Sequence, residues 1–148
     1  MSGMNAFLSV ANAVMRFILR SPLHSMVSKN ITMITFTGRK SGKIYNVPIS
    51  YIRDGDLVHI FTDLNGKWWK NLQSGAAVTL LLQGQTLSGK ADAVTDQAAV
   101  AVVLKDFLER VPRDARVYGI TLNENGKMTP EDAIRGAEDT VMIQIQLS

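Results

Sequence analysis

Cysteine is absent from the 148 residues, which excludes disulfides, thiolate metal sites and a thiol nucleophile together. Histidine is nearly as scarce. His24 and His59 are the two present; they lie far apart and outside any His-Glu-x-x-His spacing, so a zinc centre has no support. No serine sits in the Gly-x-Ser-x-Gly elbow of a hydrolase relay. Charge of one sign is not in large excess either, because 16 Lys and Arg against 13 Asp and Glu leave +3. That bias is too mild to recruit nucleic acid by itself. A long apolar run is also missing. The stretch MNAFLSVANAVMRFILR lacks an early positive region, and Arg16 and Arg20 interrupt it before the roughly 20 residues a membrane span needs.

What is present suffices for one core. A chain of this length that is 46% hydrophobic fits a single domain, 1–148. Met4, Phe7, Leu8, Ala11, Val14, Met15 and Ile18 recur at intervals of three and four, the period of one helix face, and predict an amphipathic helix over about 4–20. Its stripe is expected to pack on the domain or on a partner subunit. Peripheral contact with a membrane surface is the alternative, with Arg16 and Arg20 toward lipid headgroups.

From residue 31 the pattern changes to short runs rich in β-branched and aromatic residues. ITMITFT (31–37), IYNVPISYI (44–52), LVHIFT (57–62), AVTLLLQ (77–83), TLSGKADAV (86–94) and the terminal TVMIQIQL predict six strands. Asp54-Gly55 and Gly84-Gln85 mark turns. Pro48 cannot donate a ladder hydrogen bond, so its position belongs at an edge, a bulge or a ligand. KWWKNLQSG reads as a short helix that Gly75 can close. A stronger helix is expected over 96–110 with Asp96 as N-cap and Pro112 beyond its end. Thr129-Pro130-Glu131-Asp132 carries three signs of a further helix start. Consecutive strands with attached helices favour a mainly β fold, an antiparallel barrel, over a doubly wound parallel sheet.

Two short stretches carry chemistry. In TGRKSGK, Arg39, Lys40 and Lys43 stand between two strands, flanked by Gly38 and Gly42, with Ser41 at the apex. Glycine admits close approach to a ligand, and arginine adds a planar fork suited to phosphate or carboxylate. Each charge-assisted hydrogen bond contributes about 1.5 to 3 kcal/mol. A merely solvated basic hairpin is the plain alternative, and the glycine spacing is not that of a P-loop. The second stretch is Lys67-Trp68-Trp69-Lys70-Asn71-Leu72, which sets both tryptophans side by side. Neighbours on a helix point about 100° apart, so one indole enters the core while the other faces a cleft.

In order, ITMITFTGRKSGKIYNVPISYIRDGDLVHIFTD and KWWKNLQSGAAVTLLLQGQTLSGKADAVTD resemble the deazaflavin-dependent nitroreductase family of the split β-barrel flavin reductase superfamily. Five separated elements over residues 31–95 agree: a threonine-rich strand into TGRKSG, a valine-proline strand, an Arg-Asp-Gly turn, the tryptophan-asparagine-leucine motif and a valine-rich strand. The resemblance implies a six-stranded antiparallel split β-barrel of the FMN-binding, pyridoxamine-phosphate-oxidase-like type. It implies coenzyme F-420, its phosphate and carboxylate tail bound by Arg39, Lys40, Ser41, Gly42 and Lys43. The ring would lie beside Val47 and Pro48, with Trp68 and Asn71 supporting the cofactor from the short helix and Lys67 as a tail contact, and Tyr118 is the candidate proton donor. The implied reaction is hydride transfer from reduced F-420 to a small conjugated or nitro-bearing substrate, in a cytoplasmic homodimer. Two rivals stand beside it: an FMN-dependent reductase of the same fold, and a non-catalytic module binding a tailed cofactor, haem or lipid.

Overall fold

β-branched and aromatic residues hold the chain extended from residue 31 onward. The computed structural model describes residues 30–148, and the helix expected over 4–20 lies outside the described residues. The strands are β1 (Ile31–Thr37), β2 (Ile44–Ser50), β3 (Ile52–Asp54), β4 (Leu57–Asp63), β5 (Ala76–Leu82), β6 (Gln85–Val94) and β7 (Thr140–Leu147). They join antiparallel in the order β2-β1-β5-β6-β7-β4-β3.

Seven strands replace the six expected because the run 44–52 breaks at Tyr51. The Tyr51 amide still donates to the Asn30 carbonyl at 2.8 Å, in register with the β1–β2 ladder, and the next residue, Ile52, pairs with His59 of β4 instead. The two halves then pair at opposite margins of the sheet, β2 on β1 and β3 on β4. One bent length of chain thus links both margins and curls the sheet into a split barrel. Pro48 sits on β2, opposite Met33, and β2 is a marginal strand with β1 as its hydrogen-bonded neighbour. A residue without an N–H is tolerated at such a place.

Alternation sorts the side chains. Ile34, Phe36, Val58, Ile60, Val78, Leu80, Ile143 and Ile145 point inward as the barrel core. Phe61 and Met142 point outward and are buried under a helical layer, made of α1 (Gln97–Arg110) and α2 (Pro130–Ala137). Phe61 and Phe107 stand 4.9 Å apart, ring centre to ring centre. Both helix starts follow the expected cap chemistry: Asp96 accepts from the Ala99 amide, and Thr129 accepts from Asp132 with Pro130 in the first turn. Pro112 does more than end α1, since it opens a 3-10 stretch, Pro112–Tyr118. The β5–β6 turn lies one residue earlier than expected, on Gln83-Gly84, both at positive φ, as a two-residue hairpin of the primed type requires. Among the described residues no helix is long and apolar enough to cross a membrane.

Candidate functional site

The turn between β1 and β2 is closed at its base. Gly38 N–H donates to the Lys43 carbonyl at 2.7 Å, and Gly42 N–H donates to the Gly38 carbonyl at 2.9 Å. Ser41 Oγ accepts from the Lys43 amide at 3.2 Å. Gly42 takes φ 71°, a conformation that favours glycine. Arg39, Lys40 and Lys43 are left exposed on the outside of this arch.

The tryptophan stretch folds as a 3-10 turn, Trp68–Asn71, that ends at Leu72. This is shorter than the helix expected to close at Gly75. Leu72 and Trp69 explain the early stop, because burying both fixes the chain to the barrel. Gly75 keeps its positive φ but belongs to the following bend, where its amide donates to Asp92 Oδ1 at 2.9 Å. Trp69 enters the core and donates its indole N–H to the Leu64 carbonyl at 3.0 Å. Trp68 stays half-buried and stacks on Phe36, which stacks in turn on Tyr45, with ring centres 5.7 and 5.6 Å apart.

Asn71 joins the two parts. Its Oδ1 accepts from the Arg39 amide at 2.9 Å and its Nδ2 donates to the Trp68 carbonyl at 3.0 Å. Between the arch and the 3-10 turn lies an open cleft of about 510 Å³ lined by Thr37, Arg39, Lys70, Asn71, Gln73 and Ser74. Two stretches some thirty residues apart in sequence thus form one polar site.

Charge is distributed unevenly around the molecule. Lys105, Arg110, Arg113, Lys127 and Arg135, on and beside the helical layer, each stand in an ion pair. Among the described residues, Arg39, Lys40, Lys43, Lys67 and Lys70 have no ion-pair partner; Arg53, Lys90 and Arg116 lack one too, but lie singly on β3, β6 and the Pro112–Tyr118 stretch. A cluster of uncompensated cations at one end of the barrel attracts anions to that end. No group of residues able to hold a metal ion occurs among the described residues.

The expected site residues divide into three groups. Arg39 and Asn71 line the cleft, and Lys40, Ser41, Gly42 and Lys43 form the arch above it. Val47 and Pro48 point to opposite faces of β2, Val47 toward the core and Pro48 across from Met33, as adjacent strand residues must. Lys67 precedes the 3-10 turn and does not line the cleft, a place taken by Lys70. Tyr118 lines a different cleft with Phe61, Asp63, Arg135 and Asp139, beneath the helical layer. Burial, aided by Asp114, pushes its phenol pKa well up, so the hydroxyl keeps its proton. Sequence reasoning missed Lys70, Gln73 and Tyr45. The signal for Lys70 was its position beside Asn71. Tyr45 was legible as the first inward residue of β2, its hydroxyl 3.5 Å from Ser41 Oγ.

Residues 18–116 match the family described as F420H(2)-dependent quinone reductase. No curated protein matches the sequence. Among solved structures, the FAD and heme binding protein from Mycobacterium smegmatis is 13% identical, over 87% of this chain and 72% of that one, with a TM-score of 0.53. A Listeria innocua protein whose proposed identity is pyridoxamine 5'-phosphate oxidase is 12% identical, over 85% and 90%, with a TM-score of 0.53. A protein solved as a domain-swapped dimer is 16% identical, over 93% and 98%, with a TM-score of 0.55. Such low identities carry the fold alone, and the fold agrees with the split barrel described above. The family match spans more than half of the chain and includes both the arch and the tryptophan turn, so this chain belongs to the F420H2-dependent quinone reductase family and is an oxidoreductase whose coenzyme is F-420.

Proposed function

We propose that the protein holds F-420 by its anionic tail on the arch and the cleft, and reduces a flat conjugated acceptor of the quinone or nitro-bearing class. The observation that carries this reading is that Arg39 and Lys70, neither of them in an ion pair, line one cleft where the Arg39–Asn71 hydrogen bond joins the arch to the tryptophan turn. The donor set suits the coenzyme's phosphate and carboxylates: one guanidinium fork and several ammonium groups, all donors and none neutralised. The amides of Arg39, Gly42 and Lys43 are already engaged, so recognition falls on side chains rather than on a backbone nest.

When bound, reduced F-420 supplies the hydride. The chain supplies orientation. Arg39 and Lys70 fix the tail from opposite sides of the cleft, with Lys40 and Lys43 adding charge from above. The margin of β2 at Val47 and Pro48 offers backbone against which the ring can rest, and Trp68 bounds the mouth of the barrel. Solvent, rather than Tyr118, is the proton source in this reading, because Tyr118 lines a separate cleft. We further propose a homodimer, in keeping with the exposed margin of β2, where Ile44 is 70% exposed.

Fluorescence titration with F-420 and with FMN, followed by an assay of F-420H2 oxidation by a quinone and by a nitroarene, tests this reading. Tighter binding of F-420 and turnover of at least one acceptor are expected. FMN retained through purification and not displaced by F-420 would overturn it. Light scattering at twice the chain mass is expected for the dimer, and a monomer mass would remove it.

A further inference from the structure

We propose that Asn71 is a positioning residue, which fixes the arch over the cleft through the Arg39 backbone rather than by touching the coenzyme. Both ends of its amide are committed within the protein, Oδ1 to the Arg39 N–H and Nδ2 to the Trp68 carbonyl. Asn71 itself is anchored on both sides, since Trp69 and Leu72 are buried in the barrel core. The 3-10 turn is therefore a fixed post, and the Asn71 side chain projects from it at a set height.

Within its own hairpin the arch is held by hydrogen bonds among Gly38, Ser41, Gly42 and Lys43, by Gly38 packing on Tyr45, and by a Ser41 Oγ–Tyr45 hydroxyl contact at the long limit of 3.5 Å. Its hydrogen bond to another element is the one from the Arg39 N–H to Asn71. Tilt about the ends of β1 and β2 is restrained by the link from Asn71, which spans 32 positions in sequence. With that link made, the Arg39 guanidinium stands at the cleft before any ligand arrives. Without it, binding must first order the arch, and that ordering weakens affinity.

Two measurements on the full chain test the assignment, of which only the second rests on the coenzyme reading above. The first is site-resolved amide exchange of coenzyme-free protein. Asn71→Ala is expected to speed exchange of the Arg39 N–H by about tenfold or more, because its acceptor is gone. Asn71→Asp keeps an acceptor oxygen and is expected to restore protection, while β7 amides stay unchanged in both variants. Unchanged Arg39 protection in Asn71→Ala would overturn the proposal. The second is a double-mutant cycle with Arg39→Ala, which retains the backbone N–H. Asn71→Ala should weaken F-420 binding by about fivefold in the otherwise wild-type chain, but by less than about twofold once the Arg39 side chain is absent. An equal loss in both backgrounds would mean direct contact with the coenzyme and would also overturn it. If wild-type protein fails to bind F-420, the functional reading falls, while the exchange experiment still decides the role of Asn71.

Discussion

Gly38 lies against Tyr45 with no room for a side chain: a Cβ there would stand 2.9 Å from Tyr45 Cε2 and 2.8 Å from Ser41 Oγ. Ser41 is exposed and can swing away, but the Tyr45 ring is stacked on Phe36 and cannot. Gly38→Ala should therefore push the arch off its base, at an overpacking cost of about 1–3 kcal/mol. Chemical denaturation is expected to show that loss, and F-420 titration a weaker complex. Gly42 is different. Nothing lies within 4 Å of its would-be Cβ, so Gly42→Ala meets only the strain of positive φ, about 1–2 kcal/mol. A Gly38→Ala protein with unchanged stability and affinity would contradict the close packing.

The cations around the cleft should not contribute equally. Arg39→Ala combined with Lys40→Ala is expected to weaken F-420 binding by about tenfold or more, near 1.4 kcal/mol, with the fold intact by circular dichroism. Lys70 lines the cleft and Lys67 does not, so Lys70→Ala should weaken binding and Lys67→Ala should leave it nearly unaltered. Binding should also weaken as salt is raised, since these charges face solvent. The reverse order for Lys67 and Lys70 would move the tail out of this cleft.

Local patterns in the sequence made most elements visible, and long-range geometry was hidden. Cap chemistry at Asp96 and Thr129, the alternation of β7 and the turn at Asp54-Gly55 all act within a few residues, so they can be read directly. The break at Tyr51 cannot. It depends on the chain changing partner from β1 to β4 at Ile52, a choice made by barrel closure rather than by the propensity of IYNVPISYI. The arch was legible as a site because its residues are contiguous. Its union with the tryptophan turn rests on a single Asn71 side chain, and Lys70 gains its place in the cleft only through that union. The overlooked half of the site is the half made by tertiary contact.

The adjacent tryptophans should separate cleanly by experiment. Trp69 is buried and hydrogen-bonded to Leu64, so Trp69→Ala is expected to cost about 3–5 kcal/mol in urea denaturation. Trp68 is half-buried and stacked on Phe36, and Trp68→Ala should cost clearly less while weakening F-420 binding. Equal destabilisation by the two substitutions would remove Trp68 from the proposed site.

Stability should fall on mild acidification because of His59. Its side chain is 8% exposed and its Nδ1 has no hydrogen-bond partner. Burial holds its pKa below the ordinary 6.5; Asp54 of β3 and Asp106 of α1 pull it back up, and Arg110 of α1 pushes it down. In the unfolded chain His59 takes up its proton near 6.5, but in the folded chain only at lower pH. Between those values the unfolded state binds more protons, so stability is full above about 6.5 and is lost as pH falls through the folded value. Glu109 adds a second decline further into acid. Its carboxylate is held below its ordinary 4.5, first by the Lys105 hydrogen bond and then by the Met128 amide and nearby cations, against burial. That contribution is present above 4.5 and lost below it by the same sign. Urea denaturation across this range should show His59→Phe flattening the first decline and Glu109→Gln flattening the second. A wild-type profile with no slope just below 6.5, or one that His59→Phe leaves unaltered, would show that His59 charges without cost in the folded protein.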